Sequence, residues 1–236
     1  MLSEAFKLNF WQHVIFEATA RHLIYAYSED IESTSSEASF PISTRPVVYD
    51  IKDQLIAYLG GQAGTGKSTV VQELLTLARK WVRDGSVETL AFTGAAAINI
   101  HGKTMHSARN LKLNGAESNA PPSNEMRGRF GQVVLIIIDE ISITDQTLLG
   151  ETDTVSRSMS TSPQKFMGGR HILLINDYLQ LPPFGGYPCF RPPPCTANRL
   201  RHAGYALTCE HERIPYTPKF STAFTGGVFL MNNFAF

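Results

Sequence analysis

The chain has 236 residues, of which 43% are hydrophobic and 18% charged, and its 21 basic side chains are balanced by 21 acidic ones. This composition is typical of a folded globular protein, and the balanced charge excludes a general attraction to nucleic acid, so any contact with a polyanion has to be local. The longest apolar run, residues 133–138, is far too short to cross a membrane, and the first residues do not resemble a secretion signal. We expect an intracellular protein, with the nucleus favoured over the mitochondrion.

The predicted elements divide the chain into four parts. Apolar side chains at helical spacing predict an N-terminal helical arm in residues 1–27, and the Ser-, Thr-, Glu- and Pro-rich residues 28–46 are interpreted as a flexible linker. Residues 47–183 alternate short apolar runs with helix-like segments, which is the pattern of an α/β domain with a mostly parallel sheet flanked by helices. Within this part, strands are expected at 55–59, 89–92, 133–138 and 172–175, and helices at 67–83 and 146–159. Residues 184–236 are rich in Pro, Gly and aromatic side chains, and the pattern predicts no fold for them.

A glycine-rich segment at residues 61–68, Gly-Gln-Ala-Gly-Thr-Gly-Lys-Ser, lies between an expected strand and an expected helix. Its pattern is that of a P-loop, in which glycines let successive N–H groups point at phosphate oxygens while the helix adds the positive end of its dipole. Lys67 is predicted to reach the β- and γ-phosphates, and Ser68 to bind Mg²⁺. The candidate ATP ligands are Gly61, Gln62, Ala63, Gly64, Thr65, Gly66, Lys67, Ser68 and Thr69. A plain flexible turn is the alternative, which the flanking strand and helix disfavour.

Two adjacent acidic residues, Asp139 and Glu140, follow the apolar run at 133–138. A P-loop site needs an acidic residue at the end of a neighbouring buried strand, where it holds Mg²⁺ from the side opposite the loop. Asp139 is the candidate metal ligand, directly or through water, and Glu140 is the candidate general base for the attacking water. The alternative is a strand that ends in two solvated carboxylates, which is less expected downstream of an intact P-loop.

Several segments in one order resemble the motifs of the Pif-one family of superfamily-one DNA helicases, over roughly residues 8–183. They are residues 8–12 (the glutamine motif), 61–68 (the P-loop), 93–107 (the segment that touches single-stranded DNA in relatives), 139–142 (the magnesium motif) and 176–183 (the third motif). The resemblance implies a RecA-like P-loop ATPase domain that uses ATP and Mg²⁺. It also implies 5′-to-3′ movement on single-stranded DNA, in DNA repair, recombination or telomere maintenance.

The same resemblance implies roles for single residues. The Gln12 amide would recognise the adenine edge, and Gln180 would sense the γ-phosphate and pass its presence to the DNA side. The residues implied at the DNA are Thr93, Gly94, Asn99 and His106. By composition alone, the small residues of this segment fit close helix packing as well as contact with DNA.

The chain departs from the family pattern in two respects. Asn176 stands where relatives usually have Gly, and its larger side chain is expected to crowd the turn beside the nucleotide. About fifty residues follow Pro183, too few for the second RecA-like domain whose arginines stabilise charge on the transferred phosphoryl group. That second domain is therefore an expected partner. Residues 207–213 faintly resemble an arginine-bearing motif, which makes Arg213 a candidate γ-phosphate ligand; a solvated surface arginine is the alternative.

Two other functions remain open from the sequence. One is an ATP-binding remnant that hydrolyses slowly and does not unwind DNA. The other is a different P-loop class, such as a small-molecule kinase, which the segments at 93–107 and 180–183 disfavour.

Overall fold

A computed structural model describes residues 8–32, 53–111, 121–177, 182–183 and 189 of the chain. Five strands and six α-helices follow one another in these ranges, together with two 3₁₀ turns at Asp84–Ser86 and Phe166–Gly169. In chain order the elements are α1 (Phe10–Glu32), β1 (Ile56–Gly60), α2 (Lys67–Lys80), β2 (Val87–Ala91), α3 (Gly94–Asn99), β3 (Lys103–Thr104), α4 (Met105–Arg109), α5 (Asn124–Gln132), β4 (Leu135–Asp139), α6 (Gln146–Ser158) and β5 (His171–Asn176). None of the described helices is both long and apolar enough to cross a membrane.

The strands form one sheet in the order β1-β5-β4-β2-β3, and all the described pairings are parallel. The predicted α/β class with a parallel sheet is therefore confirmed. The strand that ends at Asp139 is the second neighbour of the P-loop strand, because β5 lies between β1 and β4. The order of the strands in the sheet cannot be read from the pattern of apolar runs, because it depends on pairing between distant segments.

The central strands are buried on both faces. In β4, Leu135 and Ile137 pack into a core shared with α1 and α2, while Ile136 and Ile138 pack into a second core shared with α4, α5 and α6. All four side chains are 0% exposed. A strand covered by helices on both faces needs an unbroken aliphatic run, and each such side chain contributes about 1.5–3 kcal/mol by burial.

Helix α1 corrects the predicted arm and linker. It continues to Glu32, five residues beyond the predicted end at 27, so the predicted linker 28–46 begins with helix. Its buried residues share one side of the helix and join the same core as α2; they include Phe16, Ala20, Leu23 and Tyr27. Because this side is packed against the domain, α1 belongs to the domain and is not a separate arm. Residues 33–46 lie outside the described part of the chain.

Candidate nucleotide-binding site

The P-loop, residues 61–68, connects β1 to α2 at the carboxyl edge of the sheet, where ligands of parallel α/β domains bind. Gly64 and Gly66 have φ angles of 80° and 78°, in the left-handed region that favours glycine. Gly66 is also the N-cap of α2, and no described side chain caps this helix. The N-terminus of α2 is therefore open to an anionic ligand, as the predicted phosphate site requires, although the Thr69 N–H already donates to the Gly66 carbonyl oxygen at 3.1 Å.

The Lys67 side chain is hydrogen-bonded to the start of this loop. Its ammonium nitrogen donates hydrogen bonds to the carbonyl oxygens of Gly61 at 2.6 Å and Gln62 at 2.9 Å. An ammonium group has three N–H donors, so the two bonds leave one donor for a phosphate oxygen. The loop tip at residues 62–65 is exposed, and so are the side chains of Ser68 and Thr69 in the first turn of α2.

Gln12 lies against the P-loop although 53 positions separate it from Thr65 in the sequence. Its Nε2 donates to the Thr65 carbonyl oxygen at 2.7 Å, and its Oε1 accepts from the Asn9 N–H at 2.8 Å. A Cβ atom on Gly66 would stand only 2.5 Å from Gln12 Nε2, so a larger residue here would displace the Gln12 amide; the φ angle of 78° is what favours glycine. The structure thus places Gln12, which the resemblance implies at the adenine, next to the P-loop, which is predicted to bind the phosphates. The contact of Gln12 with adenine stays a prediction.

Asp139 is the last residue of β4, and its carboxylate is partly buried. Burial raises the pKa of Asp139, and the negative charge of Glu140 adds to this effect. A hydrogen bond from the Glu140 N–H at 2.8 Å and the positive charge of Lys67 both act to lower it. Asp139 and Lys67 are therefore near enough to interact electrostatically, although β5 lies between β4, which carries Asp139, and β1, which leads into the P-loop.

Glu140 has a left-handed backbone, with φ of 56°. Such a conformation costs a residue with a side chain of order 1 kcal/mol, and it occurs often at functional sites. The Glu140 carboxylate accepts a hydrogen bond from Thr93 Oγ1 at 3.2 Å. The predicted general base is therefore held by a residue predicted to touch DNA, a contact that the separate motifs do not indicate.

The donors at this edge fit a magnesium ion. Ser68 offers an exposed hydroxyl on the first turn of α2, and Asp139 offers a carboxylate whose ionised form is destabilised by burial. Mg²⁺ prefers oxygen ligands and is usually held by one or two protein groups together with water and phosphate oxygens. A divalent cation would also offset the cost of ionising Asp139 in this position.

The carboxyl end of β5 lies between the P-loop and Asp139. Asn176 pairs with Gly60, and its carbonyl oxygen accepts from the Gly61 N–H at 3.1 Å. Asn176 is not among the described residues with positive φ, so its backbone does not demand glycine. Crowding of the nucleotide by its side chain stays a prediction. The side chain is 2% exposed, and its Nδ2 has no hydrogen-bond partner within the described chain.

The residues implied at the DNA lie on α3 and α4, beyond the carboxyl ends of β2 and β3. Thr93 is the N-cap of α3, Gly94 and Asn99 are exposed at its two ends, and His106 is half-buried on α4. In α3, Ala96 and Ala97 enter the core while Gly94, Ala95, Ile98 and Asn99 remain exposed. The small residues of α3 therefore pack into the core on one side and leave an exposed surface on the other. DNA contact by this surface stays a prediction.

Two candidate residues cannot be placed relative to this edge. Gln180 and Arg213 both lie outside the described residues, and so does almost all of the predicted tail, residues 184–236. Cys189 is described, and its buried Sγ donates to the Thr144 carbonyl oxygen at 3.3 Å. The roles of Gln180 and Arg213 remain predictions from the resemblance.

Fold and site together define the class of protein. A parallel sheet with helices on both faces presents a P-loop, its lysine and an acidic pair at one edge, as in P-loop NTPase domains of the RecA-like type. A family model described as PIF1-like helicase matches residues 46–187. The chain belongs to the PIF1-like helicase family.

Similar proteins support the same family. The chain is 34% identical over 131 residues to the ATP-dependent DNA helicase PIF5 of Trypanosoma brucei brucei, covering 53% of this chain and 14% of that protein. It is 32% identical over 133 residues to the ATP-dependent DNA helicase PIF1 of Saccharomyces cerevisiae, covering 54% of this chain and 15% of that protein. The chain thus spans about one seventh of the length of these relatives.

A solved structure supports the fold. The Pif1 helicase of Candida albicans superposes with a TM-score of 0.51 at 23% identity, over 75% of this chain and 34% of that one.

Proposed function

We propose that the chain is the ATP-binding motor domain of an ATP-dependent DNA helicase. In this function it binds ATP with Mg²⁺, and it hydrolyses ATP to move 5′ to 3′ on single-stranded DNA. The observation that carries the proposal is the meeting of the P-loop, Lys67, Asp139 and Glu140 at one sheet edge in a member of the PIF1-like helicase family. Roles in DNA repair, recombination or telomere maintenance belong to the same proposal.

Each site residue has a distinct task in the proposed reaction. The N–H groups of the P-loop and the Lys67 ammonium bind the phosphate oxygens and stabilise the charge that develops during phosphoryl transfer. Glu140 accepts the proton of the attacking water. Ser68 and Asp139 would hold Mg²⁺, which neutralises charge on the β- and γ-phosphates.

A second RecA-like domain is the partner that the proposed activity needs. The P-loop tip is exposed, so the nucleotide bound there would remain open to solvent on one side. Closure of a second domain over the nucleotide excludes water and supplies arginine side chains for the transition state. Single-stranded DNA bound along α3 and α4 would then couple closure and opening of the two domains to movement.

A remnant that binds ATP without unwinding DNA is the second candidate. Such a remnant retains the phosphate site and lacks the means to couple turnover to DNA. A small-molecule kinase is disfavoured, because the chain belongs to a helicase family.

ATP turnover by the 236-residue chain, measured with and without single-stranded DNA, distinguishes the two candidates. Turnover that DNA stimulates and that Lys67→Ala abolishes is the result expected for a working motor domain. Nucleotide binding without turnover would favour the remnant. If the wild-type chain and Lys67→Ala both fail to bind ATP, the assignment of the P-loop as a nucleotide site is wrong.

A further inference from the structure

We propose that a groove at the β3 edge of the sheet, the edge groove, extends the predicted DNA surface and binds phosphates of single-stranded DNA through Lys103 and Arg129. In the sheet order, β3 is the strand farthest from β1, which leads into the P-loop. The inference rests on the proposed function, because it adds a segment to the path of the strand that α3 and α4 are proposed to bind.

The edge groove exists because β3 is short. Strand β3 pairs only with Leu90 and Ala91 of β2, so residues 87–89 have no neighbouring strand on that side within the described chain. The turn before β3 packs directly against β2, since a Cβ atom on Gly102 would collide with the Thr89 carbonyl oxygen. Helices α4 and α5 form the other walls, and the space between them is about 320 Å³. Pockets for small ligands begin near this size, so the groove fits a short stretch of an extended chain.

The edge groove has an apolar floor and a polar rim. Buried side chains from three segments form the floor, among them Phe130, Val133 and Met159. Exposed side chains with hydrogen-bond donors form the rim, and these are His101, Lys103, Ser107, Arg129 and Gln132. A single strand of DNA presents sugars and base faces beside its charged phosphates, so it matches both surfaces.

Two cations of the rim are available to an anion. Arg109 also lines the groove, but its guanidinium donates to the Glu88 carboxylate at 2.9 and 2.6 Å, so these two charges neutralise each other. Lys103 has no ion-pair partner among the described residues. Arg129 has one weak partner, Glu125, at 3.9 Å, and both side chains are more than half exposed. The chain has no net charge, and the edge groove supplies the local positive charge that contact with a polyanion requires.

The position of the edge groove favours DNA over an acidic peptide, which a basic rim would also accept. His101 follows Asn99, the last residue of α3, by two positions, and Ser107 follows His106 directly on α4. Asn99 and His106 are two of the residues that the resemblance implies at the DNA. A strand that leaves the surface of α3 and α4 would therefore enter the groove without a gap.

The salt dependence of DNA binding tests this inference. The affinity of the 236-residue chain for a labelled oligothymidylate of about 15 nucleotides would be measured by fluorescence anisotropy over a range of salt concentrations. Lys103→Gln and Arg129→Gln should each weaken binding about three- to tenfold at low salt, and each should lower the slope of log affinity against log salt by about 0.7, because one phosphate contact is lost. Lys80→Gln and Arg79→Gln are the controls. Arg79 matches Arg129 closely, since it is 56% exposed and has an ion pair of 3.9 Å with Asp84.

Ser107→Trp separates occupancy of the edge groove from a general effect of charge. It keeps the net charge and adds a bulky ring to the rim, so it should also weaken DNA binding several-fold, while ATP affinity stays at the wild-type value. Thermal unfolding checks that each variant folds.

The inference alone is overturned if the wild type binds DNA and the Lys103 and Arg129 variants bind it as the controls do, or if Ser107→Trp binds it like the wild type. It is also overturned if binding of a poly-glutamate peptide, and not of DNA, depends on Lys103 and Arg129. If the wild-type chain binds no single-stranded DNA, the DNA partner of the proposed function fails and this inference fails with it.

Discussion

At the scale of single residues, one hydroxyl group joins the predicted DNA segment to the predicted general base. Thr93 Oγ1 accepts from the Ala96 N–H at 3.2 Å as the N-cap of α3, and it donates to Glu140 Oε2 at 3.2 Å. A hydroxyl can serve as one donor and one acceptor at once, so the two bonds are compatible. If α3 moved when DNA bound, the position of the Glu140 carboxylate would therefore change as well.

Thr93→Val tests this link, because it removes the hydroxyl and nearly preserves the shape. If the proposed activity holds, we expect ATP turnover to fall about tenfold, since the base loses its orientation, while ATP affinity changes little. Thr93→Ser keeps the hydroxyl and should stay close to wild type, and Glu140→Gln should bind ATP and lose nearly all turnover. Wild-type turnover by Thr93→Val would show that the bond does not position the base.

Glu73 is a second residue with an uncommon environment. It lies on α2 with 2% of its surface exposed, and neither carboxylate oxygen has a hydrogen-bond partner in the described part of the chain. Burial raises the pKa of Glu73 from 4.5 to about 7. The folded state thus holds the proton in a pH range where the unfolded state has released it, so the free energy of unfolding decreases as pH rises from about 4.5 to 7.

Glu73→Met should remove this pH dependence, because it replaces the carboxyl group by an apolar side chain of similar length. We expect the variant to be more stable than wild type by about 1–3 kcal/mol at pH 8, and the gain to be much smaller at pH 5. Urea unfolding at the two pH values measures the difference. Glu125→Met is the control, because the Glu125 side chain is 80% exposed. An equal gain at both pH values would contradict the role of ionisation.

At the scale of elements, α1 has two roles in the domain, although the sequence pattern predicted an arm separate from the core. Its first turn holds Gln12 on the P-loop, and its later turns enter the core, where Tyr27 stands with its ring centroid 5.7 Å from that of Trp81 at the end of α2. The helix therefore runs alongside α2 from the loop to the opposite end. A change in its packing would reach the nucleotide site.

Leu23→Ala tests the packing of α1, with Ile24→Ala as a matched control on the same helix. Leu23 is 0% exposed and Ile24 is 37% exposed. If α1 is part of the domain, Leu23→Ala should lower the free energy of unfolding by about 2–5 kcal/mol, and Ile24→Ala by much less. Denaturant unfolding measures both. Similar small effects for the two variants would indicate a detachable arm.

At the scale of the whole molecule, the sheet order explains how distant segments form one site. Because all described strand pairs are parallel, the P-loop, the Thr93 segment, Asp139 and the end of β5 emerge at the same edge. Asp139 and Lys67 interact across the width of β5. The exposed P-loop tip on this edge is the surface that the proposed second domain would cover.

The sequence by itself determined the local features of this protein. The P-loop, the unbroken run of β4 and the acidic pair after it are recognisable because their backbone geometry and burial depend on neighbours within a few positions. A helix was missed at Asn124–Gln132, where the polar composition hid a segment that Ser123 caps by accepting from the Met126 N–H.

Only the tertiary structure decided which of these features meet. The insertion of β5 between β1 and β4, the packing of α1 into the core, and the contacts of Gln12 with Thr65 and of Thr93 with Glu140 all join positions that are far apart in the chain. Motif spacing along the chain carries no information about such pairings, because they are selected by the packing of whole helices and strands. The sequence therefore predicted the parts of a phosphate site, and the fold brought them together with the start of α1 and the Thr93 segment at one edge of the sheet.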